Sequence, residues 1–153
     1  METLEPLLRG HEFFRDLDPG YVTLLVSCAS NVRFRDGAYL FRESQPADRF
    51  FLIREGEVAL EIAVPGRRPS VVQTEAEGGV IGFSWLFGPH TWKFDARAIG
   101  SVRAVALDGV CMRGKCDEDS RLGYALMQRF ARVAVARLQA TQLQMLDMYG
   151  QIT

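Results

Sequence analysis

From Asn31 to Asp108 the chain is written in short alternating runs: "NVRFRDG", "AYLFRES", "RFFLIREGEVALEIAV", "VVQTEAEGG" and "FDARAIGSVRAVALDG". Each is closed by glycine or acidic residues. Apolar and polar residues alternating at period two between such breaks predict strands, because successive side chains of a strand point to opposite faces. The pattern reads as an antiparallel all-β meander closing into a small sandwich or barrel. "DG" at 36–37 and "EG" at 55–56 read as tight hairpin connections, and "PGRRPS" as a solvent-facing tip that exposes Arg67 and Arg68.

The two ends differ in texture. Before Ser30 the pattern is helical: Leu4, Leu7 and Leu8 precede a glycine, and "DLDPGYVTLLVSCAS" offers Asp18 as a cap with Pro19 in the first turn. Leu24, Leu25 and Cys28 are expected to face inward. After the strands, "CDEDSRLGYALMQRFARVAVARLQATQLQMLDMYG" predicts one long helix, begun by Asp117, Glu118, Asp119 and Ser120 and ended at Gly150. At 1.5 Å per residue it runs roughly 40 Å, about the diameter of a domain of this size.

That helix shows two apolar stripes, one through Leu122, Leu126, Val133, Ala140 and Leu143, the other through Met127, Phe130, Ala134, Leu138, Met145 and Met148. Two apolar sides need two apolar neighbours, and we assign them to the β-core and to the same helix of a second chain. Leu126, Met127, Phe130, Val133, Ala134, Leu138 and Met145 are the expected dimer residues. The division is a helical segment over 1–30, a β-core over 31–113 and a C-terminal helix over 114–153, one domain in all.

Charge narrows the function classes. Eighteen basic against nineteen acidic residues leave a net charge of −1, so the electrostatic footprint of a nucleic-acid binder is missing and no direct DNA binding is expected. No apolar run is long enough for a membrane span, and "METLEPLLRGHEFF" lacks a signal-peptide pattern, which predicts a cytoplasmic protein. Three cysteines read as reduced thiols; a redox pairing of Cys111 and Cys116 across "MRGK" is the alternative.

Catalytic signals are weak. A cupin-like metal enzyme needs several histidines, and His11 and His90 are the two present, far apart in sequence, so no metal site is expected. "GFSWL" lacks the second glycine of a nucleophile elbow, and the carboxylates of "CDEDS" read as helix caps. A non-enzymatic chain is expected.

The order of helix, eight or so short strands and long C-terminal helix resembles the cyclic-nucleotide-binding domain of the catabolite activator and FNR-like regulators. The residues that carry it lie in "NVRFRDGAYLFRESQPADRFFLIREGEVAL", chiefly Gly37, Phe41, Glu43, Phe50, Leu52, Ile53 and Gly56. The resemblance implies a mainly β fold with flanking helices: an antiparallel β-roll, N-terminal helices, and a C-terminal helix that dimerises. It also implies a phosphate-binding cassette for cAMP or cGMP. The iron–sulfur cluster of FNR-like members needs four cysteines, and three scattered ones do not supply it.

The cassette falls on the loop 78–98, "GGVIGFSWLFGPHTWKFDARA". The family's pattern of Phe-Gly-Glu followed by Arg-x-Ala-Thr, anchored at Gly82, puts Phe83 at the acidic position, Trp92 at the arginine and Asp95 at the hydroxyl. Losing a charge-assisted hydrogen bond costs about 1.5–3 kcal/mol, and a carboxylate roughly 4 Å from phosphate adds up to about 4 kcal/mol of repulsion. Tight cAMP binding is therefore not expected. A slip of one or two residues would instead bring Lys93 to the arginine position and leave Ser84 as a hydroxyl beside Gly82, and Arg97 is a further candidate for a phosphate.

The pocket set is thus Gly82, Phe83, Ser84, Trp85, Leu86, Trp92, Lys93, Asp95 and Arg97. Its aromatic members, with Phe87 and Phe94, read either as core filling or as a lid for another small molecule or a partner protein. No bound cofactor is expected beyond such a ligand. The family's DNA-binding helix-turn-helix does not follow "YGQIT", so the expectation is a stand-alone sensor module or a fragment of a regulator.

Overall fold

The computed structural model describes residues 4–86 and 90–152, with the backbone only at Ser84, Leu86 and 149–152. Helix α1 (Glu5–Gly10), a 3-10 turn (Glu12–Phe14) and α2 (Pro19–Val26) precede six strands: β1 (Ala29–Phe34), β2 (Tyr39–Phe41), β3 (Arg49–Ile62), β4 (Ser70–Glu75), β5 (Val80–Ile81) and β6 (Asp95–Asp108). A second 3-10 turn at 83–86 follows β5, and α3 (Gly109–Glu118) and α4 (Ser120–Ile152) end the chain. The fold is the mainly antiparallel β-roll with flanking helices.

Pairing is not that of a meander. The strand order is β1-β6-β3-β4, with β2 also on β6 and β5 also on β3, so consecutive strands pair only at β3–β4. "DG" at 36–37 makes a turn in which Gly37 has φ +82, but β1 and β2 both pair with β6 and form no hairpin with each other. "EG" at 55–56 is not a hairpin either. Gly56 (φ +92) sits where the register of β3 against β6 shifts, inside one 14-residue strand. A Cβ there would lie 2.4 Å from the carbonyl oxygen of Ser101, so the long strand bends there with glycine as the residue that allows close approach.

Strand alternation divides the interior into two cores. Phe50 and Leu52 of β3 join Val105 and Leu107 of β6 in packing against the helices, with Phe13, Leu25, Met112, Leu122, Leu126 and Phe130. Phe51 and Ile53 turn to the other face and fill the roll with Phe41, Val58, Ile81, Trp92 and four alanines of β6, Ala96, Ala98, Ala104 and Ala106. A strand buried on both faces reads as the continuous apolar run "FFLI". The small alanines leave room for the large rings opposite them.

Three local expectations change. Asp18 does cap α2, accepting from the Gly20 N–H at 2.8 Å, and Leu25 and Cys28 are buried, but Leu24 is 43% exposed. The C-terminal helix is two helices, because two aspartates each start one. Asp108 Oδ1 accepts from Cys111 N at 2.8 Å, and Asp119 Oδ1 from the N–H groups of Arg121 and Leu122 at 3.0 and 3.2 Å. Finally, the thiols are not all reduced: Cys28 and Cys111 form a disulfide with a Cα–Cα distance of 5.6 Å, leaving Cys116 free. That bond ties the α2–β1 junction to the first turn of α3. Cys111 is therefore not paired with Cys116, whose thiol is pushed up chiefly by burial and then by Asp117 and Asp119.

Candidate ligand pocket

β5 delivers the chain to Gly82, whose φ of +102 turns it into the 3-10 segment at 83–86. The space over Gly82 is taken by Trp92: a Cβ on Gly82 would stand 2.9 Å from the Trp92 Cη2. The indole is 4% exposed and lies flat on Phe41, ring centroids 3.8 Å apart and planes 11° apart. Its backbone is pinned from both sides, Trp92 N donating to Gln45 O at 3.0 Å and Ser44 N donating to Trp92 O at 2.9 Å. The ring and the glycine fit each other.

Three residues on, Asp95 is buried at 5% exposure and accepts from the Glu43 N–H at 2.7 Å and from Arg42 Nε at 3.4 Å. It holds the turn after β2. Arg97 is committed as well: Nε and Nη2 donate to the two oxygens of Glu61 at 2.8 and 3.3 Å, and this pairing raises its pKa. A bidentate pair to a buried carboxylate is a strong fixed contact. Lys93 and Phe94 are exposed.

Helix α4 supplies the roof. Leu122, Leu126 and Phe130 are buried in the helix-side core and Val133 packs at its edge, so the inward stripe runs through positions 122, 126, 130 and 133 and arrives at Arg137. Its guanidinium reaches Glu75 at 3.1 Å, donates to the Val80 carbonyl and lies over the Phe83 ring at 4.8 Å. Burial lowers its pKa despite the opposing pull of Glu75. Between this helix and the roll lies a cavity of about 290 Å³, lined by Phe41, Leu60, Phe83, Trp92, Phe94 and Ala134, with Gln73, Lys93 and Arg137 as polar groups.

The family model for the cyclic nucleotide-binding domain matches residues 31–119. The chain belongs to that family. A CRP-like cAMP-activated global transcriptional regulator of Mycobacterium tuberculosis is 24% identical over 145 residues, 95% of this chain and 63% of the relative. This chain therefore spans about 63% of the length of that curated relative. A crystal structure from Geobacter metallireducens GS-15 bearing the name cyclic nucleotide-binding protein is 30% identical, with a TM-score of 0.80 over 90% of this chain and 99% of that one. The N-terminal domain of a Streptomyces coelicolor transcriptional regulator is 27% identical with a TM-score of 0.68, over 91% and 94% of the two chains.

Within this cyclic nucleotide-binding domain the sequence-derived pocket residues do not all meet. Gly82, Phe83, Trp92 and Lys93 line the cavity. Trp85 does not: it is 1% exposed in the helix-side core, stacked on Phe50 at 5.2 Å, with its carbonyl accepting from Arg113 at 2.5 Å. Asp95 and Arg97 serve the turn and the sheet. Phe87 and the side chains of Ser84 and Leu86 lie outside the described residues. Arg137, Leu60 and Gln73 were missed, and the available signal was an arginine continuing the apolar stripe of α4. No helix is long and apolar enough to cross a membrane, and no group of three metal-ligating side chains occurs among the described residues.

Proposed function

We propose that this domain is a non-enzymatic, dimeric regulatory module whose cassette is closed to tight binding of cyclic nucleotides. Trp92 carries the reading. At the position where the family's pattern has an arginine stands a neutral indole packed against Gly82, and the nearby arginine of β6 is held by Glu61. A cyclic phosphate entering there would displace the ring from Phe41 and find no uncommitted guanidinium, since Arg97 is held by Glu61 and Arg137 by Glu75. Each charge-assisted hydrogen bond so lost costs about 1.5–3 kcal/mol, one to two decades of affinity.

The test is isothermal titration with cAMP and cGMP at concentrations able to reveal a Kd of about 100 μM. No saturable heat is expected. Saturable heat at one site per chain, lost in Lys93→Ala, would return the chain to the genuine cyclic-nucleotide receptors, with Lys93 as the phosphate ligand. Output through a further domain belongs to the same proposal.

The dimer rests on the outer face of α4. Tyr124, Met127, Ala131, Ala134, Leu138, Thr141, Met145 and Met148 recur at alternating steps of three and four and are all exposed, which is the heptad spacing of a two-stranded coiled coil. Leu126, Phe130 and Val133, expected at this contact from sequence, pack on the chain's own core instead. Sedimentation velocity should give a dimer, and Leu138→Asp a folded monomer. A wild-type monomer at about 100 μM would remove the dimer from the reading.

A further inference from the structure

The cavity under α4 has one kind of wall and one kind of charge. Phe41, Leu60, Phe83, Trp92, Phe94 and Ala134 form an apolar and mainly aromatic lining, Lys93 and Arg137 are its charged members, and no carboxylate is among the lining residues. Arg137 is partly neutralised from outside by Glu75. Lys93 is exposed and makes no ion pair among the described residues. The uncharged polar side chain, Gln73, has its amide tied to Glu75.

A ligand matched to this lining has a flat apolar body and a single anionic end. It presents few other polar groups, because the lining offers few to pair with them and the Gln73 amide nitrogen is already engaged by Glu75. A cyclic nucleotide has the wrong distribution, since its base edges and ribose hydroxyl each need a partner. At about 290 Å³ the space lies at the small end of ordinary ligand pockets, roughly 300–1,000 Å³, and suits one or two rings. Rings gain directional contacts on the aromatic faces that an alkyl chain does not.

We propose that the cavity receives an aromatic monocarboxylate, its ring system among Phe41, Phe83, Trp92 and Phe94 and its carboxylate toward Lys93 and Arg137. This assignment rests on the cassette being closed to cyclic nucleotides. Because Arg137 also holds Glu75, a carboxylate drawing on that guanidinium competes with the clasp that fastens α4 to the roll.

The experiment is calorimetric titration of the intact protein with 2-naphthoate, its uncharged counterpart 2-naphthamide, and cAMP, repeated in Lys93→Gln. The expected result is saturable binding of 2-naphthoate at one site per chain, at least about tenfold tighter than the amide. Lys93→Gln should cut that preference severalfold, Arg137 remaining, without moving the melting temperature, since Lys93 is exposed. The indole N–H resonance of Trp92 should shift on binding while that of Trp85 stays.

Equal affinity for acid and amide, an unchanged preference in Lys93→Gln, or no saturable 2-naphthoate binding up to about 1 mM overturns the assignment. Flat cAMP traces alongside flat 2-naphthoate traces overturn it alone. A saturable cAMP site overturns the closed-cassette reading beneath it.

Discussion

His11 shows how one buried polar residue can set a pH dependence. It is 8% exposed; its Nδ1 accepts from the Phe13 N–H at 3.1 Å, and its Nε2–H donates to the Ile53 carbonyl at 3.2 Å. That assignment uses both nitrogens of the neutral ring. A second proton on Nδ1 abolishes the acceptor, and burial holds the pKa below its usual 6.5. The unfolded chain therefore binds the proton more readily than the folded one between those two values. The contribution is complete above about pH 6.5, falls as pH drops below it, and levels off below the folded-state pKa. Urea unfolding at pH 7.5 and 5.5 should show lower stability at the acid pH, and His11→Asn should flatten the difference. An unchanged slope in the variant would place the dependence on other groups.

At the scale of elements, the disulfide reinforces a junction the sheet begins, where Ala29 pairs with Leu107 and Asp108 N donates to Cys28 O at 2.9 Å, and carries it into the first turn of α3. Cys28 and Cys111 are 83 residues apart in sequence. Closing a loop of that length in the unfolded chain lowers its entropy enough to stabilise the fold by about 4–5 kcal/mol in the chain-entropy model, and engineered bonds often deliver less. Reduction with dithiothreitol, or Cys28→Ser, is expected to lower the denaturant midpoint markedly, and reduction should have no further effect on the variant. A thiol titration finding three free cysteines in unreduced, denatured protein would exclude the bond.

The same scale shows what the residue string carries. Asp18 before Pro19 and the alternation of "RFFLI" with "EVALEI" are local signals that became the expected helix start and strand, whereas the glycine at 37 makes a turn but not the expected hairpin. Gly56 carried an equally local signal and misled, because a tight hairpin and a bulge both ask for a glycine at positive φ. The choice between them lies with the Ser101 carbonyl on a distant strand. The expected cassette departures at Phe83, Trp92 and Asp95 rest on position along the chain. The clasp of Arg137 on Glu75 and the Cys28–Cys111 bond were not legible there, since nothing near either residue in the chain indicates its partner.

On the scale of the whole molecule, α4 belongs to two environments at once. One side is inside the domain as far as Val133; residues 138–148 are exposed all round. Ala134 lines the cavity and also stands on the outer heptad face, so occupancy of the one and geometry of the other meet at a single turn of helix. Arg137 lies one turn on. Through Glu75, Val80 and Phe83 it holds the helix to the β4–β5 edge, and it is the last position of α4 whose described side chain is not exposed.

If this clasp sets how far the helix stays fastened, Arg137→Gln should release the arm without disturbing either core. Amide hydrogen exchange across 134–148 is then expected to rise by about tenfold or more, while exchange in β3 and β6 keeps its wild-type rate. In the proposed dimer the same variant should pair more weakly, because an arm free to pivot adopts the paired geometry less often. Unchanged exchange beyond Ala134 would mean that the Arg137 clasp does not hold the arm, and would move the control of its angle to the proposed seam at Leu138 and Met145.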